Sequence, residues 1–295
     1  MTRSAIRGGG MRVGFIGLGE QGAPIAQRII AAQYPVTLWA RRAQTLAPFA
    51  KSGAMLAPDL TALAAASDVV AICLRNDADV CQVLAGPDGL IARMTPGSVV
   101  AIHSTIAPHT CRMLASEAER RGVDLVDAPV SGGAAAAREG RLAVMVGGSE
   151  AAFERCRPLF AAFGNPVVHM GETGAGQFAK IVNNALYTAH IALVDDAICT
   201  GRELGLDVEA LMHVLRNGSG RSVTMERYDP SRGVRSYVAS LDLLEKDIGI
   251  YWRALEERGI GPGTLAYTAR TSVVLLTQCA KDLKNRERGG VAPES

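Results

Sequence analysis

Apolar residues follow two different patterns along the chain, and the pattern changes near residue 173. Before that point, short and almost continuously apolar runs alternate with segments whose apolar residues recur at helical spacing. Such alternation is typical of a parallel sheet with helices on both faces. The pattern predicts strands at 12–17, 35–40, 68–74, 98–103, 123–129, 142–148 and 166–171. It predicts helices near 20–32, 43–52, 59–66, 77–85, 107–121 and 150–163.

The second part of the chain shows helical spacing only. Between residues 174 and about 284 we find no convincing strand, and breaks rich in glycine, proline or asparagine separate three or more helices. We therefore expect an α/β protein: a disordered tail at 1–10, a Rossmann-type, mostly parallel sheet domain at 11–173, and an all-α domain at 174–295 that completes the active site. A long helix at 176–206 begins where the two domains are expected to meet, and clefts between domains are common ligand sites.

Composition and charge are those of an ordinary globular protein. The chain has 295 residues, of which 48% are hydrophobic and 20% are charged, and its formal net charge is +2. This balance gives no indication of a nucleic-acid or membrane surface. The first ten residues lack the apolar run of a signal peptide, and no window holds 18 consecutive apolar residues. We expect a cytoplasmic protein without a membrane span.

The spacing of cysteine and histidine indicates neither a metal site nor a disulfide framework. The sequence has no C-x-x-C pair and its histidines lack metal-ligand spacing, so we predict no bound metal. Most of the cysteines fall in apolar segments, which predicts buried free thiols in a reducing compartment. The cysteines are Cys73, Cys81, Cys111, Cys156, Cys199 and Cys279.

The stretch GFIGLGEQG has three glycines spaced as G-x-G-x-x-G, after the first predicted strand and at the start of the first helix. In a dinucleotide-binding unit the first glycine permits a tight turn, the second lets the pyrophosphate approach the backbone, and the third lets helix and strand pack closely. The pyrophosphate then lies at a helix N-terminus, where free N–H groups favour an anion. The sequence therefore predicts a dinucleotide site. We assign to it Gly17, Leu18, Gly19, Glu20, Gln21, Gly22 and, at the end of the third predicted strand, Leu74.

The end of the second predicted strand distinguishes NAD from NADP. An NAD site usually has Asp or Glu there, which binds the ribose 2′-hydroxyl. This chain has LWARR instead, so Arg41 and Arg42 are placed to bind a 2′-phosphate, and no nearby acid repels it. The alternative is that both arginines are solvated surface residues. We predict NADP(H) as the preferred cofactor, with NAD(H) as the second choice.

Two loops after predicted strands carry further candidate ligands. The segment DAPVSGGAAAAREG, at 127–140, is predicted to be neither regular strand nor regular helix, and its Ser-Gly-Gly turn exposes backbone N–H groups that suit a carboxylate. The alternative is a plain loop. In HSTIAP, Thr105 either hydrogen-bonds a nicotinamide amide or caps the next helix, and His103 is predicted to be a structural histidine.

Polar residues interrupt two apolar helices. Lys180 and Asn184 occupy positions i and i+4 of the long helix, so they share one face. Spacing alone leaves two alternatives for Lys180: a side chain that extends its amine to water, or a functional group. Lys246, in LEKDIGI, likewise belongs either to a surface ion pair with Asp247 or to a site.

Four signatures occur in the same order as in a known family: GFIGLGEQG, DAPVSGGAAAAREGRLAVMVGG, GAGQFAKIVNNAL and LEKDIG. From residue 11 to about 280 the chain resembles the β-hydroxyacid dehydrogenases. These include 3-hydroxyisobutyrate dehydrogenase and tartronate semialdehyde reductase, and they are related to 6-phosphogluconate dehydrogenase. The resemblance implies reversible hydride transfer between NADP(H) and a small, carboxylate-bearing 3-hydroxy acid or semialdehyde. The apolar helical domain suggests a homodimer or homotetramer.

The resemblance also implies roles for the candidate residues. It makes Lys180 the catalytic acid/base and Asn184 the residue that holds the substrate beside it. The other implied contacts are the substrate carboxylate for Ser131, Gly132 and Gly133, the nicotinamide half of the cofactor for Thr105 and Lys246, and the 2′-phosphate for Arg41. Two alternatives are an imine reductase-like enzyme that acts on C=N bonds and a non-catalytic cofactor-binding protein on the same fold. Lys180 argues against both, because such relatives usually lack this lysine.

The chain departs from the family pattern at several positions. Gln21 replaces a methionine that is usual in the glycine loop, and Ile102 and His103 stand where many members have an aspartate before the Ser-Thr pair. Ala239 stands where a phenylalanine is often found, and a late G…D-x-S segment is missing after residue 275. These departures leave the reaction type standing and the substrate open.

Overall fold

The computed structural model describes residues 10–289, with side chains described as far as Asn285. Its contacts divide the chain into a first unit that ends at Lys180 and a second unit that begins at Ile181. This division falls inside a long helix, whereas the sequence-based boundary near residue 173 lies just before that helix begins. Except for Gly10, the predicted N-terminal tail lies outside the described residues.

The first unit is built on a nine-stranded sheet, as far as the described residues show. The strand order is β3-β2-β1-β4-β5-β6-β8-β7, and β9 pairs with β8. All neighbours from β3 to β6 are parallel, β8 is antiparallel to β6 and β7, and β9 is parallel to β8. This topology confirms the mostly parallel sheet. The strands are β1 Val13–Ile16, β2 Val36–Trp39, β3 Met55–Leu56, β4 Val69–Ile72, β5 Val99–Ile102, β6 Asp124–Asp127, β7 Val130–Ser131, β8 Leu142–Gly147 and β9 Gly164–Gly171.

Helices cover both faces of this sheet, which explains the continuously apolar strands. In β4, Val69 and Ala71 belong to one buried hydrophobic cluster, and Val70 and Ile72 belong to the other. Successive side chains of a strand point to opposite faces, so a strand buried on both faces has no polar alternation. The helices are α1 Gly22–Ala31, α2 Leu60–Ala65, α3 Asp77–Leu84, α4 Leu90–Arg93, α5 Pro108–Glu119, α6 Gly133–Glu139 and α7 Glu150–Phe160, with a 3₁₀ helix at Ala43–Phe49.

The segment at 127–140 is more regular than the sequence predicted. It contains β7, whose Val130 and Ser131 pair with β8, and the helix α6. The expectation of an irregular segment was wrong because β7 exists only through its antiparallel pairing with a strand more than ten residues further on. The alanines of α6 favour helix, and Gly140 ends it in the left-handed conformation.

The second unit contains helices and no strand among its described residues, as predicted. Its core contains buried residues of all its longer helices, among them Ile191, Met212, Leu244 and Leu276. The Tyr228 hydroxyl donates a hydrogen bond of 2.5 Å to Asp195 Oδ1. The helix α8, Ala175–Glu203, runs from the first unit into the second; it is followed by α9 Val208–Asn217, α10 Val223–Arg227, a 3₁₀ helix at Gly233–Ser240, α11 Leu241–Glu257 and α12 Thr264–Gly289.

The thiols are free, as predicted, but most are not buried. Cys111 and Cys156 are buried, three others are partly exposed, and Cys199 is exposed on α8. The prediction of burial was wrong for Cys199. It was based on the apolar residues around this cysteine, but several apolar residues of α8 lie on the exposed side of the helix. No helix among the described residues combines the length and the apolar content needed to span a bilayer.

Candidate active site

The three glycines of the first loop have different steric surroundings. Gly17 has a φ of +97°, and a Cβ atom there would overlap the carbonyl oxygen of Cys73. A Cβ at Gly22, the first residue of α1, would overlap the carbonyl oxygen of Gly17. In contrast, a Cβ at Gly19 would meet nothing within 4 Å. The first and third glycines are therefore needed for packing within the protein, whereas the second leaves open space beside the backbone.

That open space belongs to a cavity of about 880 Å³ in the first unit. A cavity of this size is within the usual range for small-molecule and cofactor sites. Its wall combines residues at the ends of β1 and β2 and just after β4 with residues of α3. Six predicted cofactor residues line it: Gly17, Leu18, Gly19, Arg41, Arg42 and Leu74.

Charge in this cavity favours an anionic ligand. Arg41 and Arg42 line it, and so does Arg75, which the sequence pattern did not indicate. Against these three cations stands one acid, Asp79 of α3. No acid follows β2 directly, as expected, but Asp79 lines the same cavity from α3. The excess of guanidinium groups suits a phosphorylated ligand.

The other predicted cofactor residues of this loop, Glu20, Gln21 and Gly22, lie where the loop leads into α1. Glu20 is exposed, and Gln21 immediately precedes α1. The Nε2 atom of Gln21 is buried and has no hydrogen-bond partner among the described residues. Gly22 begins α1, so the first N–H groups of that helix follow the glycine loop directly.

The loop after β5, which carries Thr105, is held by hydrogen bonds on both sides. The Leu74 N–H donates to Ser104 Oγ at 2.7 Å. Gln177 of α8 donates from Nε2 to the Ser104 carbonyl at 2.8 Å, and its Oε1 accepts from the Ile106 N–H at 3.1 Å. Thr105 is not the cap of the next helix, because the capping position of α5 is Ala107.

Asp127, at the end of β6, caps the start of α8. Its Oδ1 accepts from the Gly174 N–H at 2.6 Å and its Oδ2 accepts from the Gln177 N–H at 2.8 Å. A Cβ at Gly147 or at Gly176 would come within 2.9 Å of this aspartate, so both glycines make room for it. Burial raises the pKa of Asp127, although these backbone hydrogen bonds act in the opposite direction. Asp127 therefore fixes where α8 begins.

Lys180 lies on α8 three residues beyond Gln177. It is only 8% exposed, which does not fit a side chain extended into water. Asn184 lies one turn further along the same helix and is partly exposed. Its Nδ2 donates a hydrogen bond of 2.6 Å to Asp247 Oδ2, and its Oδ1 accepts one of 3.0 Å from Asn183.

Lys246 and Asp247 do not form a surface ion pair. The Lys246 ammonium lies 3.1 Å from Asp247 Oδ1, and the Asp247 side chain is 3% exposed. Asp247 thus contacts both Lys246 and Asn184, two of the predicted site residues, within the second unit. From the sequence, Asp247 was expected only as an ion-pair partner of Lys246; its position inside an apolar helix was the available signal.

The Ser131–Gly133 turn connects β7 to α6. Gly132 has a φ of +133° and Gly133 a φ of +76°, which L-residues with side chains rarely adopt. A Cβ at Gly132 would lie 2.6 Å from the Cβ of Ala136. Consecutive N–H groups in such a turn form a concavity that suits an anion.

His103 is structural, as predicted. It is 3% exposed, its Nδ1 lies 2.8 Å from the Ala128 carbonyl, and its ring packs nearly perpendicular to the rings of Phe160 and Phe163. The carbonyl can only accept, so Nδ1 carries the proton. Burial lowers the pKa of His103 to about 4. Among the described residues, no group of three or more His, Cys, Asp or Glu side chains is arranged to hold a metal ion.

Comparison with known proteins defines the class. Residues 12–171 match the family described as the NAD binding domain of 6-phosphogluconate dehydrogenase. Residues 174–286 match the family described as NAD-binding of NADP-dependent 3-hydroxyisobutyrate dehydrogenase. The two matches, the glycine loop and the cavity beside it together define an NAD(P)-dependent dehydrogenase.

Individual proteins that are similar to this chain belong to the same class of oxidoreductases. The chain is 39% identical over 251 residues to an uncharacterized oxidoreductase of Mycobacterium tuberculosis, covering 81% of this chain and 84% of that protein. It is 35% identical over 254 residues to the NAD-dependent L-serine dehydrogenase of Pseudomonas aeruginosa, covering 83% and 85%. The solved structure of M. tuberculosis 3-hydroxyisobutyrate dehydrogenase with L-serine has a TM-score of 0.79 at 26% identity, covering 92% and 94%.

The chain therefore belongs to the β-hydroxyacid dehydrogenase family, and it is an NAD(P)-dependent oxidoreductase that acts on the CH–OH group of hydroxy acids. Imine reductases are more distant. That of Myxococcus stipitatus has a TM-score of 0.61 at 19% identity, a level of similarity that shows the fold alone.

Proposed function

We propose that the protein transfers a hydride reversibly between NADP(H) and the carbinol carbon of a small 3-hydroxy acid, with Lys180 as the general acid/base. The observation that carries the proposal is the burial of Lys180 on a helix whose first turn is hydrogen-bonded to the loop that contains Thr105. A buried lysine one turn beyond such an anchor has a restricted position, as a positioned proton donor requires.

The cavity residues support NADP(H) as the cofactor. Open space at Gly19 admits a pyrophosphate against the backbone, and the N-terminus of α1 follows directly. Arg41 and Arg42 follow β2, where an acid would otherwise select NAD. When bound, the nicotinamide supplies the hydride donor and acceptor. The names of relatives include both NAD-dependent and NADP-dependent enzymes, so the preference for NADP(H) rests on these arginines.

The chain's own residues account for the proton and for the orientation of the substrate. In reduction, the Lys180 ammonium protonates the alkoxide that develops at the former carbonyl oxygen. In oxidation, the neutral amine removes the hydroxyl proton. The N–H groups of the Ser131–Gly133 turn hold the carboxylate, so that the carbinol carbon has one orientation. Asn184 holds the substrate beside Lys180, and Lys246 contacts the nicotinamide half; Asp247 fixes the directions of both side chains.

Exposed apolar residues of the second unit support a homodimer or homotetramer through the helical domain. Val182, Leu186 and Leu193 of α8 and Val274 of α12 are each about half exposed or more. Large apolar side chains that remain exposed in groups are typical of interaction surfaces. The free thiols support a reducing, cytoplasmic location.

A substrate panel tests the proposal. We expect NADP⁺ to be reduced with 3-hydroxyisobutyrate or L-serine, and NADPH not to be oxidised with a cyclic imine such as 1-pyrroline. Turnover of the imine and none of the hydroxy acids would support the imine reductase alternative. Binding of NADPH without turnover of any substrate would support the non-catalytic alternative.

A further inference from the structure

One side chain holds both peptide groups that flank Thr105. Gln177 is 0% exposed, and its amide makes two hydrogen bonds to the loop after β5. Nε2 donates to the Ser104 carbonyl, and Oε1 accepts from the Ile106 N–H. A carbonyl can only accept and an N–H can only donate, so these partners fix the orientation of the amide.

The backbone of Gln177 is fixed as firmly as its side chain. Its N–H donates to Asp127 Oδ2 at 2.8 Å, so the residue is bound to the end of β6 as well as to the loop after β5. Ser104 is in turn bound to the end of β4 through the Leu74 N–H. The ends of three neighbouring strands are therefore connected through Gln177 and Ser104.

Lys180 follows Gln177 by three residues on α8. Residues at i and i+3 of a helix are neighbours on one face, separated by about 4.5 Å along the axis. The helix is rigid over that distance. If the loop moves relative to Gln177, the distance between Thr105 and Lys180 therefore changes as well.

We propose that Gln177 is a positioning residue that sets the distance between the nicotinamide-binding loop at Thr105 and the acid/base Lys180. The inference rests on the proposed function, which gives Thr105 and Lys180 their roles. Gln177 acts only through two other residues: Thr105, which contacts the nicotinamide half of the cofactor, and Lys180, which transfers the proton. A displacement of about 1 Å of reacting groups can lower a rate by roughly 100-fold.

The first test is binding, which needs no turnover. Gln177→Met keeps the length of the side chain and removes both hydrogen bonds. NADPH occupies the nicotinamide end, whereas 2′,5′-ADP contacts only the adenosine end. We expect the variant to weaken NADPH by about 3- to 10-fold, the equivalent of one hydrogen bond, and to leave 2′,5′-ADP unchanged.

The matched control is Ser67→Ala. Ser67 is buried and donates to the Leu63 carbonyl at 2.7 Å, but it does not line the cofactor cavity. The Ser67→Ala variant also loses a buried hydrogen bond to a backbone carbonyl, so a general loss of stability in the first unit would affect both variants. We expect the control to change neither affinity.

The second test is a double-mutant cycle with Lys180→Ala, measured as kcat with the panel substrate of highest turnover. We expect Gln177→Met to lower kcat by roughly tenfold or more when Lys180 is present. In the Lys180→Ala background, the factor by which Gln177→Met lowers kcat should be at least about threefold smaller. The primary deuterium isotope effect from a substrate labelled at the carbinol carbon should rise in Gln177→Met, because hydride transfer then limits the rate more fully.

The outcomes separate the two proposals. Lys180→Ala with near-normal kcat overturns the proposed function. If Lys180→Ala loses kcat, the proposed function stands. The positioning role alone is then overturned if the effects of Gln177→Met and Lys180→Ala on kcat are additive, or if Gln177→Met changes cofactor binding no more than Ser67→Ala does. If Gln177→Met does not fold, Gln177→Glu replaces it: its carboxylate accepts from Ile106 but cannot donate to Ser104, and an intermediate effect is expected. If neither variant folds, Gln177 is a folding residue and the proposal is overturned.

Discussion

The Asn184 amide donates a 2.6 Å hydrogen bond to the Asp247 carboxylate, although the two residues are 63 positions apart in the chain. The same carboxylate pairs with the adjacent Lys246 ammonium. One buried anion thus orients an amide on α8 and a cation on α11. Neither side chain needs to be ordered anew when a ligand binds, which favours a preorganised site.

Removing this anion should disturb both partners. We expect Asp247→Ala to lower kcat by roughly 10- to 100-fold, because Asn184 and Lys246 lose their fixed directions. Asp247→Asn should cost less, since its carbonyl oxygen can still accept from Asn184 while the attraction for Lys246 is lost. Steady-state kinetics check both variants. Asp195→Asn is the control: it weakens the Tyr228–Asp195 hydrogen bond in the same unit and should lower stability without lowering kcat.

Lys180 should be needed for turnover and not for cofactor binding. We expect Lys180→Ala to lower kcat by roughly 10²–10⁴, the usual contribution of a positioned general acid or base, while NADPH affinity stays near normal. Asn184→Ala should lower kcat less, because it removes a contact that positions the substrate. Fluorescence titration and steady-state kinetics measure the two effects. A Lys180→Ala variant with more than about a third of the wild-type kcat would rule out the assigned role.

Two glycines of the same loop should respond oppositely to alanine. Gly19→Ala meets open space in the protein, so its thermal midpoint should stay unchanged while NADPH binding weakens by roughly tenfold or more, because the methyl group occupies the space left for the pyrophosphate. Gly22→Ala overlaps the Gly17 carbonyl and should lower stability by about 1–3 kcal/mol. Thermal unfolding and NADPH titration of both variants check this. Equal loss of stability in the two variants would contradict the assignment.

His103 should make the stability of the first unit sensitive to acid. Its pKa is about 4 in the folded protein and about 6.5 for an ordinary histidine, so the unfolded chain binds the proton first as the pH falls. The stabilisation is fully present above pH 6.5 and is lost between about pH 6.5 and 4. At about 1.36 kcal/mol per pH unit, the loss approaches roughly 3 kcal/mol.

The variant His103→Leu isolates this effect, because leucine has no charge to gain. Its stability relative to wild type should therefore improve as the pH falls from 7 to 4, after a constant offset for the lost hydrogen bond to Ala128. Urea unfolding at several pH values measures both proteins. Parallel pH dependences would show that another group is responsible.

The sequence predicted the sheet because a strand that is buried on both faces is a continuous apolar run, which can be recognised in each strand separately. It also predicted the glycine loop, whose steric requirements are local. It did not predict Asp127, Gln177 or Asp247 as organising residues. Their hydrogen bonds reach partners 47 to 73 positions away, and only the fold brings those partners together. The strand β7 was missed for the same reason, since it depends on pairing with β8.

We expect the cofactor preference to depend on the opposing charges of Arg41 and Asp79. Both line the cavity beside the glycine loop, Arg41 at the end of β2 and Asp79 on α3. A guanidinium binds a phosphate through charge-assisted hydrogen bonds, which contribute on the order of 1.5–3 kcal/mol each. At about 1.4 kcal/mol per tenfold, a preference for NADPH over NADH of at least roughly tenfold in Kd is expected. Because Arg41 is exposed, salt should keep the preference toward the lower end of this range.

Arg41→Ala should remove most of this preference by weakening NADPH while leaving NADH nearly unchanged, because NADH has no 2′-phosphate to lose. Arg42→Ala should have a smaller effect, since Arg41 alone matches the family position. Asp79→Asn provides the opposite control: removal of this acid from the cavity wall should tighten the binding of NADPH more than that of NADH. Titration of both cofactors into all four proteins at fixed ionic strength measures the balance. Equal or tighter binding of NADH by the wild type would contradict the NADP assignment and would leave the hydride-transfer chemistry at Lys180 untouched.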